Sequence, residues 1–438
     1  MNSRLNFAQR LPGSGYRWVV FALLAAGYLL VYFHRLSPAV VALELMDDLK
    51  ADAGLMGLLA SAYFYPYALM QIPSGLLSDS WGPRKTITSF FILAGIGSIA
   101  FGAAPTVGWA IAARVLVGLG VAMLFVPTMK ALTSWFKVSE FTFAAGILMA
   151  VGGLGVLSAA SPFAYFSTVL GWRESFYIVG TVTFALAAAI WILVRDTPQE
   201  MGLPAVQDAT DDSPVAGGPA IGLWQGVTLV LGSPRFWPLF AWFFFTFGIF
   251  FSFSGLWGGP FLMHVYGLDK IQAGGVLSMP AVALILGCPL MGYISDRVLR
   301  SRKKIMVISS LAVLILSLPL TFFPAGFNLA GLYVWCFLLG FFGSAIVVVG
   351  FTTAKEMFPV RIAGTAVGLI NIAPFLGGAI MQPVVGVVLE AEASGQAGYS
   401  PEAYGSAFSL YLASAVIALG AAFFIKETMP IAPDRALS

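Results

Sequence analysis

Long apolar runs, each ended by a short polar or charged cluster, recur along the whole chain. A helix needs about 20 apolar residues to cross the hydrocarbon core of a bilayer. The runs have that length, and they are continuous rather than alternating, so helices and not barrel strands are expected. The pattern predicts six helices over 18–45, 54–77, 86–104, 109–134, 141–169 and 175–194. It predicts six more over 236–263, 272–294, 304–323, 329–353, 364–389 and 404–425. The first run is too long for a signal-peptide core and no small-residue cleavage site follows it, so it is expected to be retained.

Composition agrees with this reading. Hydrophobic residues make up 59% of the 438 and charged residues only 10%, where a soluble domain carries about 25% charged residues. The mean hydropathy is +0.89. An integral membrane protein with no large soluble domain is expected. Cys288 and Cys336 both lie inside apolar runs, and the two histidines form no cluster with them, so neither a disulfide framework nor a metal site is indicated. No cofactor and no nucleic-acid partner are expected, and the chain is expected to act as a monomer in the lipid bilayer.

Charge sets the orientation. With the N-terminus inside, the inner segments hold nearly all of the lysines and arginines, among them the cluster Arg297, Arg300, Arg302, Lys303, Lys304; the outer segments hold only Lys50, Arg173 and Lys270. This asymmetry predicts both termini in the cytoplasm, with a bacterial inner membrane as the expected setting. The stretch "AVQDATDDSPVAGGPA" (205–220) is polar and rich in Pro and Gly, as a solvated linker is. It lies in a cytoplasmic linker, 195–235, between an N-terminal bundle (1–194) and a C-terminal bundle (236–438). "GLWQGVTLVLG" (222–232) suggests a short helix on the membrane surface.

The halves echo each other. "GLLSDSWGPRK" (75–85) follows the second helix and "GYISDRVLRSRKK" (292–304) the eighth, with one offset relating Gly75 to Gly292 and Asp79 to Asp296. Internal repeats of this kind build many secondary transporters, whose substrate sites lie between the halves near the membrane midplane. The first of these segments matches the Gly-x-Leu-x-Asp-x-x-Gly-x-Arg-Lys loop of the major facilitator superfamily. "RVLVGLG" (114–120) and "GWRESF" (171–176) resemble that family's fourth helix and the start of its sixth. The chain therefore resembles a major facilitator superfamily transporter along essentially its whole length. The resemblance implies an all-α polytopic fold, twelve transmembrane helices in two pseudo-symmetric six-helix bundles, and transport rather than enzymatic catalysis. It also implies a conformational latch at the loop, for which Gly75, Asp79, Gly82, Arg84 and Asp296 are the candidates. Gly75 and Gly82 would allow close packing and the turn, and Asp79 would meet helix-terminal N–H groups and cations of a neighbouring helix.

More narrowly, the chain is similar to the organophosphate:phosphate antiporters and the related organic-anion symporters. "RDTPQEMGLP" (195–204) resembles the end of the sixth helix in the sugar-phosphate antiporters. Arg35 matches the first-helix arginine of both groups, which in the antiporters contacts the substrate anion; Tyr28, Tyr32 and Tyr67 match aromatic site positions. The charge pattern departs from both groups. A seventh-helix arginine of the antiporters is absent near Ser252, Gln71 stands where they carry lysine, and "GILMAVGGLG" (146–155) lacks their fifth-helix histidine. His34 stands where the symporters often have aspartate.

Arg35 is the sharpest feature. Every Asp and Glu falls in a loop or at a helix end, so no carboxylate is placed to pair with it in mid-membrane. A charge facing lipid is costly, so Arg35 is expected to face a central cavity and bind an anion through its guanidinium fork. The competing reading has it bonded to carbonyls at a kink made by Pro38. Tyr28, Tyr32 and Arg35 share one helix face, as do Tyr63, Tyr67, Gln71 and Ser74. In the second half Asn371 and Gln382 share a face with Phe375 and Gly378, and Ser254 and Trp257 mark another. The candidate substrate-binding set is thus Arg35, Tyr32, Tyr28, Tyr67, Gln71, Trp257, Asn371 and Gln382. Arg114 is expected to be structural or gating. His34 is the candidate proton carrier, with a packed, neutral histidine as its alternative.

The expected function is secondary transport of a small organic anion, such as a carboxylate, by alternating access. The coupling ion, a proton or a counter-anion, is left open, as is symport against antiport. A transporter-like receptor for a small solute and an exporter of a non-anionic molecule are the alternatives.

Overall fold

A computed structural model of the chain describes residues 13–204, 223–393 and 398–429. The expected linker stretch 205–220 lies outside the described residues. Among the described residues eleven helices are long and apolar enough to cross a membrane, and a bent pair makes a twelfth crossing. We number the crossings α1 (Gly15–Val40), α2 (Ala53–Leu69 with Pro73–Trp81), α3 (Pro83–Gly102), α4 (Val107–Trp135), α5 (Phe143–Leu170) and α6 (Trp172–Leu193). The second six are α7 (Phe236–Tyr266), α8 (Lys270–Val298), α9 (Arg302–Phe322), α10 (Leu329–Met357), α11 (Ile362–Ala391) and α12 (Pro401–Phe424). A short helix, Leu223–Leu231, precedes α7 and exposes Trp224. With twelve crossings, both ends of the described chain reach one face, called here the terminal face.

Several crossings are not the continuous helices that the hydropathy predicts, and the breaks in α1, α2 and α7 bear on the site. In α1 the α-helix stops at Leu36 and a 3₁₀ turn, Ser37–Val40, follows, with a separate helix at Ala42–Asp48. Pro38 has no N–H and cannot continue the i→i−4 ladder. In α2 the two pieces meet at 57°, just where Pro73 removes another donor. In α7 the helix widens into a π turn at Phe253–Trp257, a form often found at functional sites.

The repeat is visible at the terminal face. Asp196, just past α6, accepts from the Arg84 backbone N–H at 2.6 Å and so caps the start of α3. Glu427, just past α12, accepts from the backbone N–H groups of Arg302 and Lys303 at the start of α9. Gly82, ahead of α3, has φ 83°, and a Cβ there would lie 2.2 Å from Asp196 Oδ2. The turn and its cap therefore both require glycine.

The two sets of six crossings meet tightly on the face opposite the termini. A Cβ on Gly57 of α2 would fall 2.5 Å from Pro383 Cα, and one on Gly386 of α11 would fall 2.2 Å from the Ala53 carbonyl oxygen. Tyr65 donates to the Ala379 carbonyl at 3.1 Å, and the Ala53 N–H to Glu390 at 3.2 Å. Lys270 of α8 forms an ion pair with Glu44. Toward the terminal face the same helices part. Cβ atoms on Gly75 of α2 and on Gly364 and Gly368 of α11 would meet nothing within 4 Å. The close packing that the sequence suggests for Gly75 is therefore not present in this conformation.

Candidate functional site

Arg35 sits in the last helical turn of α1, where unpaired carbonyls favour a cation. It is 3% exposed. Its guanidinium carbon lies 4.5 Å from the ring centre of Tyr32, 4.9 Å from Tyr67, 4.8 Å from Phe375, 5.5 Å from Phe251 and 6.0 Å from Tyr63. Each such contact contributes about 0.5–2 kcal/mol. The rings come from α1, α2, α7 and α11, so both halves of the chain wall the charge. Among the described residues no carboxylate pairs with Arg35, and its buried Nε has no hydrogen-bond partner.

The carbonyl freed by Pro38 is that of His34, and Arg114, not Arg35, takes it. Arg114 Nη1 donates to the His34 oxygen at 2.8 Å. Arg114 is 1% exposed and stacks over Tyr63 at 5.0 Å. Tyr63 thus lies between the two guanidiniums, and its hydroxyl donates to the Val31 carbonyl at 3.2 Å. Arg114 completes the broken helix and leaves the fork of Arg35 to the cavity.

Tyr28 and Tyr32 bring their hydroxyls to 3.5 Å of each other beside the cage. Gln71 lies on its terminal side, with Nε2 donating to the Tyr67 carbonyl at 3.0 Å and Oε1 accepting from Asn371 Nδ2 at 2.7 Å. That bond joins α2 to α11 across the halves. One and two turns beyond it toward the terminal face stand Gly368 and Gly364, next to open space.

Other sequence candidates are placed elsewhere. The Trp257 indole donates to the Gln382 carbonyl at 2.9 Å, and Gln382 Nε2 donates to the Phe251 carbonyl at 3.0 Å. These two residues tie α7 to α11 on the closed side and reach the cage only by holding Phe251. His34 turns from the cage toward α6, its Nε2 3.4 Å from Thr183 Oγ1. Asp79 pairs with Lys130 of α4 at 2.7 Å, and Arg84 donates to the Trp191 carbonyl of α6 at 2.8 Å. Asp296 bonds Arg302, which reaches Glu356 of α10 at 3.1 Å. All these charged contacts at the terminal face stay within one half.

Phe251 and Phe64 escaped the sequence reading. Phe64 packs on Phe251 at 5.3 Å and on Phe375 at 6.4 Å. Phenylalanine in an apolar span carries no mark that separates a cavity wall from lipid-facing packing.

Twelve crossings in two related halves, with a buried guanidinium between them that has no carboxylate partner among the described residues, are an architecture suited to a membrane transporter. A family profile for the Major Facilitator Superfamily matches residues 19–382. The chain belongs to the Major Facilitator Superfamily and is not an enzyme. It is 24% identical over 390 residues to a probable sulfoacetate transporter of Cupriavidus necator, covering 85% of this chain and 87% of that protein. It is 25% identical to the hexuronate transporter of Escherichia coli K12, covering 86% and 88%. Among solved structures, an inward-facing bacterial homologue of the human lysosomal transporter Spinster superposes with a TM-score of 0.74 at 19% identity, covering 94% of this chain and 96% of the other.

Proposed function

We propose that this chain carries a small organic anion, a carboxylate or a chemically similar acid, across the membrane by alternating access, with Arg35 as the anion's counter-charge. The observation that carries this reading is a guanidinium, buried at the meeting of the halves, that has no carboxylate partner among the described residues. A fork of donors so placed suits a planar anionic head. The relatives named for sulfoacetate and hexuronate transport are in accord with it. The moving bodies are the bundles 1–194 and 236–438, linked by 195–235. The charge asymmetry supports a cytoplasmic terminal face, in a bacterial inner membrane; on that reading the arrangement described is closed outside and parted inside. Asp79, Gly82, Arg84 and Asp296 hold each half together at the inner face. Gly75 is the surface that α11 meets when that face closes. Arg114 and His34 serve the α1 break, and no coupling proton is assigned to His34.

The test is a thermal-shift screen of purified protein against organic anions, run on wild type and Arg35→Gln. Ligand at 100 times its Kd stabilises by about 2.7 kcal/mol, so a bound anion raises the Tm of wild type and leaves that of Arg35→Gln unmoved. Equal stabilisation of both proteins removes Arg35 from the site. Uptake of the stabilising anion into liposomes then separates transport from binding alone.

A further inference from the structure

The cage is poor in free polar groups. Its walls are phenyl faces braced on one another, with Tyr67 on Phe375 at 4.3 Å and Phe251 stacked on Phe375 at 5.9 Å. Several of the polar groups nearby are already engaged. The Tyr63 hydroxyl holds the Val31 carbonyl. Both ends of the Gln71 amide are bonded, to Tyr67 and Asn371. The amide nitrogen of Gln382 holds the Phe251 carbonyl. What remains to meet a solute is the Arg35 fork, the Tyr67 hydroxyl and the Tyr28–Tyr32 hydroxyl pair, with the unpartnered Oε1 of Gln382 on the closed side.

That inventory offers one charge to an anionic head and mostly ring faces to the body behind it. A buried hydroxyl with no partner keeps its full desolvation cost, while an apolar body packs on ring faces and gains from leaving water. We infer that the site selects an organic monoanion with an aromatic or branched-aliphatic body and discriminates against polyhydroxy acids of similar size. The inference rests on the Arg35 reading above and narrows its substrate class.

The experiment measures binding of phenylacetate and of D-gluconate to the full-length purified chain. Wild type, Arg35→Gln and Phe375→Asn are compared, each first shown monodisperse and cooperatively melting. Phenylacetate is expected to bind wild type about tenfold or more tighter than gluconate, since one unpaired hydroxyl alone costs about that factor. Arg35→Gln is expected to lose both ligands. Phe375→Asn, which adds a donor and an acceptor to the wall, is expected to shift the ratio toward gluconate by several-fold. Gluconate binding as tight as phenylacetate, still dependent on Arg35, overturns the apolar-body inference and leaves the anion reading standing. Phenylacetate binding that survives Arg35→Gln overturns the anion reading. If neither ligand binds wild type, both readings fail. If Phe375→Asn weakens both ligands in equal proportion, Phe375 is not a selectivity wall and the inference is overturned.

Discussion

Two arginines lie deep in the first half, and their surroundings assign them different work. Pro38 leaves the His34 carbonyl without its helical donor, and Arg114 supplies one at 2.8 Å. Removing that donor strands a buried carbonyl, a cost of about 1–3 kcal/mol. Arg114→Leu is therefore expected to lower stability by that amount. Pro38→Ala returns an N–H to the ladder, so the double variant should recover part of the loss. Thermal unfolding of the four proteins in the cycle checks it; additive effects would mean that the bond to His34 carries no weight. Arg35 was legible in the sequence because a lone charge in an apolar run is conspicuous. Tyr32 and Tyr67 followed from helical spacing. The sequence could not show that Arg114 would take the kink carbonyl, since that depends on which helix lies against α1. It also could not rank Phe251 among the phenylalanines of α7, because apolar residues differ only by what they face.

At the scale of elements, hydropathy located all twelve crossings and missed their interruptions. A span average registers apolar content and is blind to which backbone bonds are made. Pro38 and Pro73 were visible as letters, but the direction of each bend is set by packing. The terminal-face caps were equally hidden, since Asp196 and Glu427 act on helix starts far away in sequence. Burial pushes the Glu427 carboxyl up, but hydrogen bonds from Ser301 and from the backbone N–H groups of Met429, Arg302 and Lys303 outweigh it and hold the group below the usual carboxylate range. A folded-state pKa below the unfolded one contributes stability above the unfolded value and loses it as pH falls through the folded value. Wild type should therefore melt higher than Glu427→Gln at neutral pH, and the gap should close as the buffer is acidified below the usual carboxylate range. A gap that stays constant with pH would show that Glu427 matters for shape and not for charge.

At the scale of the molecule the closed side is held by fit, whereas toward the open side Gly75, Gly364 and Gly368 border open space. The α2–α11 contact is close because Gly57 and Gly386 have no side chains. Among the described residues three polar ties cross there: Lys270 to Glu44, the Ala53 N–H to Glu390, and the Tyr65 hydroxyl to the Ala379 carbonyl. Lys270 is 12% exposed at its side chain and Glu44 40%. A partly solvated pair of this kind contributes about 0–1 kcal/mol, far less than the closure as a whole, yet a transporter cycling between two states needs those states close in energy. A change of 1 kcal/mol moves such an equilibrium about fivefold. Lys270→Met is thus expected to raise the fraction of molecules open on this side by up to about that factor, and Glu44→Gln to match it. Spin labels at Asp47 and Leu329, with Cys288 and Cys336 replaced by alanine, would report the two populations as distinct distances. The double variant should equal either single one, because both remove the same bond. If the single variants add, the two charges act independently through solvent, and the closure rests on the glycine contacts alone.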